Sequence, residues 1–410
     1  MHEFPLIEKQ WKKDIKTMAI VYPNLYYGGV YCLGPLIIYN LVNQLDNWIC
    51  ERIFLDRQKL LNHDLVGFTW QYELDIKNII EIINKYRPKI TFAGGPCVNF
   101  NTKPLEPYMD FFVLGDSEDI LPKVLDKYTD DKKIFLKNIL NIPGVYIPNK
   151  NKPIKIVSKL SSFYPLYQPL PDEMNKNFVF GRAFILEVER GCPFKCDFCS
   201  FKEQQPRYRS FNDLKEIIDK GLKINQRDKV VIYSASFTHP QKKEILKYLI
   251  EKNIKFSIPS IKIETVDSEI LKLIKTNQKS LTIAPECGES LRRKIGKFVK
   301  DEDFFKFARV AKVLGFKEIK LYFMVGLPNQ KKEDLDEMIS FIDQFKTFFP
   351  NIYISINPYV YKPTTYLPHK FNREEIKQQI KYLKRFIKNR LKISSVSSAE
   401  KIYDIIHSLE

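Results

Sequence analysis

No leader, membrane span, internal repeat or low-complexity tract is legible in this 410-residue sequence. The opening MHEFPLIEKQWKKDIK lacks the basic-then-apolar order of a signal peptide, so a cytoplasmic location is expected. Thr17 to Leu45 carries no charge, but Pro23, Asn24, Gly28, Gly29, Gly34 and Pro35 break it, and it reads as strand, loop and helix rather than a bilayer span. Cysteine is scarce and odd in number. Seven residues, three of them within eight positions, argue against a disulfide framework and for metal chemistry at one place. Acidic residues are also in deficit, 49 against 66 Lys plus Arg, which gives +17 and a pI near 9.3. That balance favours anionic partners such as nucleic acid, lipid headgroups or acidic substrates, without choosing among them.

What is present is enough apolar material for a folded chain, 44% hydrophobic with 28% charged. At this length one hydrophobic core no longer suffices, so two or three domains are expected. From Met18 to about Lys127, short apolar runs alternate with helical patterns, the signature of βαβ units around a parallel sheet. Strands are expected at Met18 to Tyr22, Arg52 to Leu55, Leu65 to Trp70, Ile90 to Ala93 and Phe111 to Leu114. The helix Asp75 to Tyr86 places Ile76, Ile79, Ile80 and Ile83 on one face and ends at Arg87-Pro88. The fold class expected is α/β, with an N-terminal doubly wound, Rossmann-like domain over residues 1–140.

Residues 141–179, rich in Pro, Asn, Lys and Ser, read as a surface linker. A second alternating series over 180–370 has strands at Ala183 to Val188, Val230 to Tyr233, Lys255 to Ile258, Leu281 to Ala284, Ile319 to Met324 and Ile352 to Ile356. Six such units suit a partial (β/α)6 TIM barrel, open rather than closed, with its site at the strands' C-terminal ends. Residues 371–410 read as a basic helical tail, with an amphipathic helix over Arg373 to Lys392.

The chemistry-bearing motif is Cys192-Pro-Phe-Lys-Cys196-Asp-Phe-Cys199, immediately after the strand at Ala183 to Val188. Three thiolates can hold three corners of a four-iron cluster and leave one iron open, whereas an electron-transfer cluster takes four cysteines. A structural zinc site wants four ligands, and neither a Cys nor a His lies within about 30 residues downstream of Cys199.

This run resembles the cluster loop of radical S-adenosylmethionine (SAM) enzymes. The resemblance implies a 4Fe-4S cluster on Cys192, Cys196 and Cys199, with Phe198 near the adenine of SAM. It also implies reductive cleavage of SAM to a 5'-deoxyadenosyl radical that abstracts hydrogen from an unreactive C–H bond. The segment Lys279 to Lys297, KSLTIAPECGESLRRKIGK, resembles the fourth-strand motif of the subgroup that carries a cobalamin (B12)-binding-like domain before the barrel. By that resemblance Glu286 bonds the ribose hydroxyls and Lys297 pairs with the SAM carboxylate. Ser234-Ala-Ser236 stands where many relatives have Gly-Gly-Glu on the SAM amine, and either backbone carbonyls or Ser234 and Ser236 could serve there. Ser260 ends the third strand, followed by Lys262 where relatives often have Arg. Gly326, in a fifth-strand motif, would let the backbone approach adenine. Asn357 to Thr364 resembles the family's substrate-facing loop. No catalytic residue is assigned.

In the first domain, Tyr22 to Gly29, Gly94-Gly95-Pro96 and Gly115 to Glu118 fall at strand ends, where doubly wound sheets bind ligands. The Asp-x-His-x-x-Gly loop that supplies a cobalt ligand is absent, and His63 reads as a surface histidine, so cobalamin stays open. The function expected is a radical SAM enzyme acting on an unidentified substrate, with methyl transfer favoured if cobalamin binds. It would draw electrons from a reductant such as ferredoxin or flavodoxin. The alternatives are a radical enzyme acting on RNA, or a non-catalytic iron-sulfur protein binding nucleic acid, for which no RNA-binding module is present. Cys32, Cys50, Cys97 and Cys287 read as packing residues.

Overall fold

The computed structural model describes residues 2–9, 12–57, 62–157, 160, 163–202, 204–388 and 390–407. Asn389, inside the expected basic helix, lies outside them. The chain forms two compact units. One comprises everything up to Ile185 together with Glu216–Arg227 and the end from Ile405, the other Leu186–Lys215 and Asp228–Asp404. Among the described residues, no helix is long and apolar enough to cross a membrane.

In the first unit, β1 (Lys16–Tyr22), β2 (Trp48–Phe54), β3 (Leu65–Thr69), β4 (Thr91–Gly94), β5 (Phe111–Val113) and β6 (Val145–Tyr146) form one sheet of order β2-β1-β3-β4-β5-β6. The first five are parallel and overlap the expected strands, β2 beginning four residues before the expected Arg52, and β6 is antiparallel to β5. A parallel sheet buried on both faces needs apolar residues at consecutive positions. In β1, Met18 and Ile20 enter one core with Phe92, Phe111 and Phe135, while Ala19 and Val21 enter the other with Phe68, Trp70 and Ile79. The uncharged stretch after β1 continues as α1 (Leu33–Asn43), whose buried Asn43 exchanges hydrogen bonds with the Cys50 backbone. Helix α2 (Ile76–Tyr86) stops at Arg87, whose φ of 45° closes the end as expected before Pro88.

The segment 141–179 is more than a surface linker. It supplies β6, and Leu170–Pro171 pairs with Glu3–Phe4. Ile156 bridges Gly115, accepting from the Asp116 amide at 3.1 Å. Gly115 has φ of +112° and a Cβ there would sit 1.7 Å from the Ile156 oxygen, so only glycine permits the approach. Buried Gln168 acts as a strand partner: its amide accepts from the Ile185 N–H at 2.8 Å and donates to the Ile185 carbonyl at 2.9 Å. Pieces this short, satisfied by side-chain amides, leave no periodic pattern in the sequence.

The second series begins with β7 (Phe184–Glu187), β8 (Lys229–Tyr233) and β9 (Lys255–Ser257), ordered β9-β8-β7. A four-stranded parallel sheet follows, β10 (Ser280–Glu286), β11 (Glu318–Val325), β12 (Asn351–Pro358) and β13 (Arg390–Ile393), in that order. Gln278 splints β9 to β10: it accepts from the Ile258 amide at 2.8 Å and donates to the carbonyls of Ile258 at 3.2 Å and Ser280 at 2.8 Å. Helices α3 (Lys242–Glu251), α4 (Ser268–Lys275), α5 (Glu289–Lys294), α6 (Asp301–Val313) and α7 (Lys332–Phe345) intervene between the strands. The strand residues Ile319, Leu321, Phe323 and Val325 are fully buried, and Phe323 packs against Phe341 of α7. The opposite faces of β10 to β12 alternate with them and are only half-buried over most of their length.

The expected helical tail is corrected in one respect. Helix α8 runs over Arg373–Phe386, but the chain then forms β13, parallel to β12, before α9 (Val396–His407). The four residues Arg-Leu-Lys-Ile carry Lys and Arg on their open side and are too short to separate from a helix end by pattern alone.

Candidate functional site

The cysteine loop is held at its neck. Glu189–Arg190 pair antiparallel with Arg207–Tyr208, and the intervening loop leaves β7 through Gly191, whose φ is +88°. A Cβ there would lie 2.4 Å from the Gln205 oxygen. Buried Glu187 anchors the neck, accepting from Arg190 at 2.8 Å to each carboxylate oxygen and from Arg209 at 3.0 Å. Bidentate pairs of this kind fix direction as well as distance. Within the loop, Cys192 N–H donates to Gln204 at 3.0 Å and Cys199 N–H to Cys196 at 3.1 Å. Asp197 docks it to the segment after α5, donating its N–H to Ile295 at 3.1 Å and accepting from Tyr366 N–H at 2.8 Å.

The loop forms one wall of a cavity of about 200 Å³. Cys192, Cys196 and Cys199 line it, with Phe198, Ser236, Ser260, Glu286 and Lys297, so eight of the ten expected residues come together from segments far apart in sequence. Among the described residues, no three His, Cys, Asp or Glu side chains gather as a single-ion site. Burial raises the Cys196 and Cys199 thiols, and for Cys196 the nearby Lys262 and Lys297 oppose the rise. Ser236 is buried, with its hydroxyl 3.5 Å from Cys192 Sγ.

The charged corner of the cavity is built at the end of β10. The ladder shifts between Ile283 and Glu286, and Glu286 adopts φ of +73°, a left-handed conformation that costs a non-glycine residue about 1–3 kcal/mol. Its carboxylate meets Lys297 Nζ at 3.0 Å, and Lys297 also donates to the Ala284 carbonyl. Arg292, completely buried, holds this conformation from behind. Its guanidinium donates to Pro285 O at 2.7 Å and Cys287 O at 2.8 Å, the carbonyls on either side of Glu286, and to Val299 O and Asp301 at 2.9 and 2.8 Å.

Two expected residues lie elsewhere. Ser234 does not line the cavity; its hydroxyl accepts from the Phe237 amide at 2.8 Å and shapes the turn after β8. Gly326 is also outside the lining. It has φ of +73°, its N–H donates to Gln379 at 2.7 Å, and a Cβ would lie 2.6 Å from Ile376, so α8 accounts for the glycine.

Three contributors were not named as site residues from sequence. Lys262 lines the cavity with Nζ 3.9 Å from Cys196 Sγ, 3.7 Å from the Phe194 ring centre and 3.9 Å from Glu264. Its position two residues after Ser260 was the available signal. Glu189, buried, accepts from Thr238 N–H at 2.8 Å and Oγ1 at 3.2 Å, tying the turn after β8 to the loop's neck; burial raises its pKa. Arg292 gave no signal, because an arginine in a short basic helix ordinarily faces water. The four remaining cysteines are free thiols. Cys50, Cys97 and Cys287 are buried, and burial raises the thiols of Cys32, Cys50 and Cys287.

Comparison with known proteins identifies the family. Residues 186–342 match the family model of the radical SAM superfamily, and residues 56–148 match that of radical SAM proteins, N-terminal. An uncharacterized protein of Methanocaldococcus jannaschii, MJ0966, is 33% identical over 92% of this chain and 84% of its own length. A putative methylthiotransferase of the same organism, MJ0865, is 23% identical over 64% of this chain and 60% of its own. Bacteriochlorophyllide d C-8(2)-methyltransferase of Chlorobaculum tepidum is 23% identical over 76% and 68%. With three loop thiols and a charged corner facing one cavity inside the matched region, the chain belongs to the radical SAM superfamily.

Proposed function

We propose that this cavity holds a 4Fe-4S cluster on Cys192, Cys196 and Cys199 with SAM beside it, and that the protein functionalises a C–H bond of its substrate. The observation that carries the reading is the convergence of the three thiols with Ser236, Ser260, Glu286 and Lys297 on one lining. The donor set fits. Three thiols leave one corner of a four-iron cluster for a ligand that is not protein. Lys262 and Lys297 line the cavity beside Glu264 and Glu286, at 3.9 and 3.0 Å, a balanced set for a zwitterionic amino-acid end. When bound and reduced, the pair of cofactors supplies the one-electron chemistry that breaks an unreactive C–H bond.

The residues do the rest. Lys297 is held by Glu286 and the Ala284 carbonyl, so its charge is aimed before a carboxylate arrives. Strain at Glu286, kept by Arg292, is the kind of local cost that persists at binding sites. Phe194, Phe198, Phe201 and Phe304 supply apolar lining beside the thiols. The methylthiotransferase and methyltransferase among the relatives support transfer of a one-carbon group as the outcome.

The first unit does not fit cobalamin well. His63, expected at the surface, is buried; it precedes β3 by two residues, at the end opposite the strands' C-terminal ends, and bonds Glu51 at 2.8 Å. Ile156 occupies the approach at Gly115, and Gly95 packs against the Trp70 backbone.

The test is anaerobic reconstitution with iron and sulfide, then reduction with SAM. Production of 5'-deoxyadenosine is expected; its absence with cluster absorbance intact would refute the proposal. Cys196→Ala should lose the cluster absorbance.

A further inference from the structure

A second space, of about 340 Å³, lies on the open face of β10 to β13 and has no part in the cofactor reading. Its core is a single cross-strand rung. Thr282 pairs with Lys320, Lys320 with Tyr353, and Tyr353 with Arg390. Lys392 and Glu318 complete the polar lining, so three cations face one carboxylate. Arg390 is already oriented, donating to the Tyr353 hydroxyl at 2.8 Å.

Edge strands often carry lysine and arginine simply to prevent pairing with other chains. That accounts for Arg390 and Lys392 on the edge strand β13. It does not account for Lys320, which sits on β11 between β10 and β12. Among the described residues Lys320 has no carboxylate partner within ion-pair distance, and its ammonium lies 4.6 Å from the Tyr322 ring centre. A half-buried cation on a central strand that makes no ion pair among the described residues is available to an anionic ligand.

The groove also shares a strand face with the cofactor cavity. Ser280 and Thr282 line the groove, while Ala284, on the same face of β10, and Glu286, beyond the register shift, line the cavity. A two-residue step along a parallel strand is about 7 Å, so the Lys320 rung lies roughly 7 to 13 Å from the cavity's lining along β10.

We propose that this groove is the substrate's anchoring site, and that the substrate is a small molecule with a carboxylate or phosphate held by Lys320, Arg390 and Lys392. The inference rests on the radical SAM reading of the adjacent cavity. The groove's size suits a small ligand rather than a nucleic-acid strand, and its cations are clustered at neighbouring positions of one sheet. The anionic group is then held about 7 to 13 Å along β10 from Ala284 and Glu286 of the cavity lining.

The test uses the full chain, titrated calorimetrically with pyrophosphate and with citrate at low ionic strength. A double variant, Lys320→Met with Arg390→Met, is compared with Lys306→Met with Lys384→Met, which removes the same charge from exposed helix positions. The groove variant should bind the preferred probe at least tenfold more weakly, and the control within twofold of the parent; the tighter probe tells phosphate from carboxylate. Should the double variant melt early, Lys320→Gln alone is read by the same criterion. The proposal is overturned if neither probe saturates the parent chain, if the control loses as much affinity as the groove variant, or if a 20-nucleotide RNA binds the groove more tightly than either probe. SAM cleavage by the parent chain is measured separately. Its failure with anion binding intact sinks the cofactor reading and leaves the groove standing as an anion site.

Discussion

Replacing Arg292 with methionine removes a guanidinium with no exposed surface that donates to Pro285, Cys287 and Val299 carbonyls and to Asp301. The side chain also lies 4.9 Å from the Phe304 ring centre, so methionine keeps part of the packing. A buried acceptor stripped of its donor costs about 1–3 kcal/mol. Three carbonyls are affected, and Asp301, partly exposed, can be rehydrated. Relaxation of the short helix α5 offsets some of this, giving a net loss of roughly 4 kcal/mol, within the 3–5 kcal/mol typical of breaking a buried pair. Against a total stability of about 5–15 kcal/mol the variant should still fold. Arg292→Lys is the sharper probe. A single ammonium lacks the planar fork that spans the carbonyls on both sides of Glu286, so stability should fall by about 2 kcal/mol while Glu286 loses its fixed left-handed conformation. Urea unfolding followed by circular dichroism measures the first effect. SAM affinity of the reconstituted protein measures the second, with at least a tenfold loss expected and the cluster's electron paramagnetic resonance signal unchanged. A cost under about 1 kcal/mol for Arg292→Met, or parental SAM affinity in Arg292→Lys, would refute the clamp.

Gly326→Ala forces a Cβ to 2.6 Å from Ile376 at a φ of +73° and should cost about 1–3 kcal/mol by urea unfolding; a neutral result would mean that α8 yields freely. Gln278→Leu removes the splint between β9 and β10, and hydrogen exchange at the Ile258 amide should accelerate at least tenfold while amides inside β11 keep their protection. Burial pushes the Asp75 carboxyl from its ordinary 3.8 up to about 6, so the native state holds this proton more tightly than the unfolded chain does. The sign is destabilising: stability falls as pH rises from about 4 through about 6, by at most about 3 kcal/mol. Asp75→Asn keeps the acceptor for Asn24 and should stabilise by about 1–2 kcal/mol at pH 7 but not at pH 4; equal effects at both pH values would contradict the assignment.

The elements that sequence pattern located are those whose burial is regular. β1 reads correctly because both its faces are covered, so each consecutive residue must be apolar, and α2 because four isoleucines recur at helical spacing. The three loop cysteines were legible as a group because they fall within eight residues, and all three line one cavity. Segments stabilised by single polar side chains escaped the pattern. Gln168 and Ile156 turn an apparent linker into part of a sheet, and four residues of an apparent tail become β13. The role expected of Gly326 was displaced for the same reason, since Ile376 and Gln379 are 50 and 53 positions away.

The amino-acid order alone determined the α/β class, the positions of the parallel strands and the three thiols, because periodic burial and a compact ligand set are properties of neighbours in the chain. Tertiary structure decided which charges meet. Lys297 faces Glu286 because Arg292 grips the two flanking carbonyls. Lys320 stands without a carboxylate among the described residues because cross-strand register puts Thr282 and Tyr353 beside it. Register and loop clamps arise from contacts between distant segments, and electrostatic partners are set by those distances rather than by spacing along the chain.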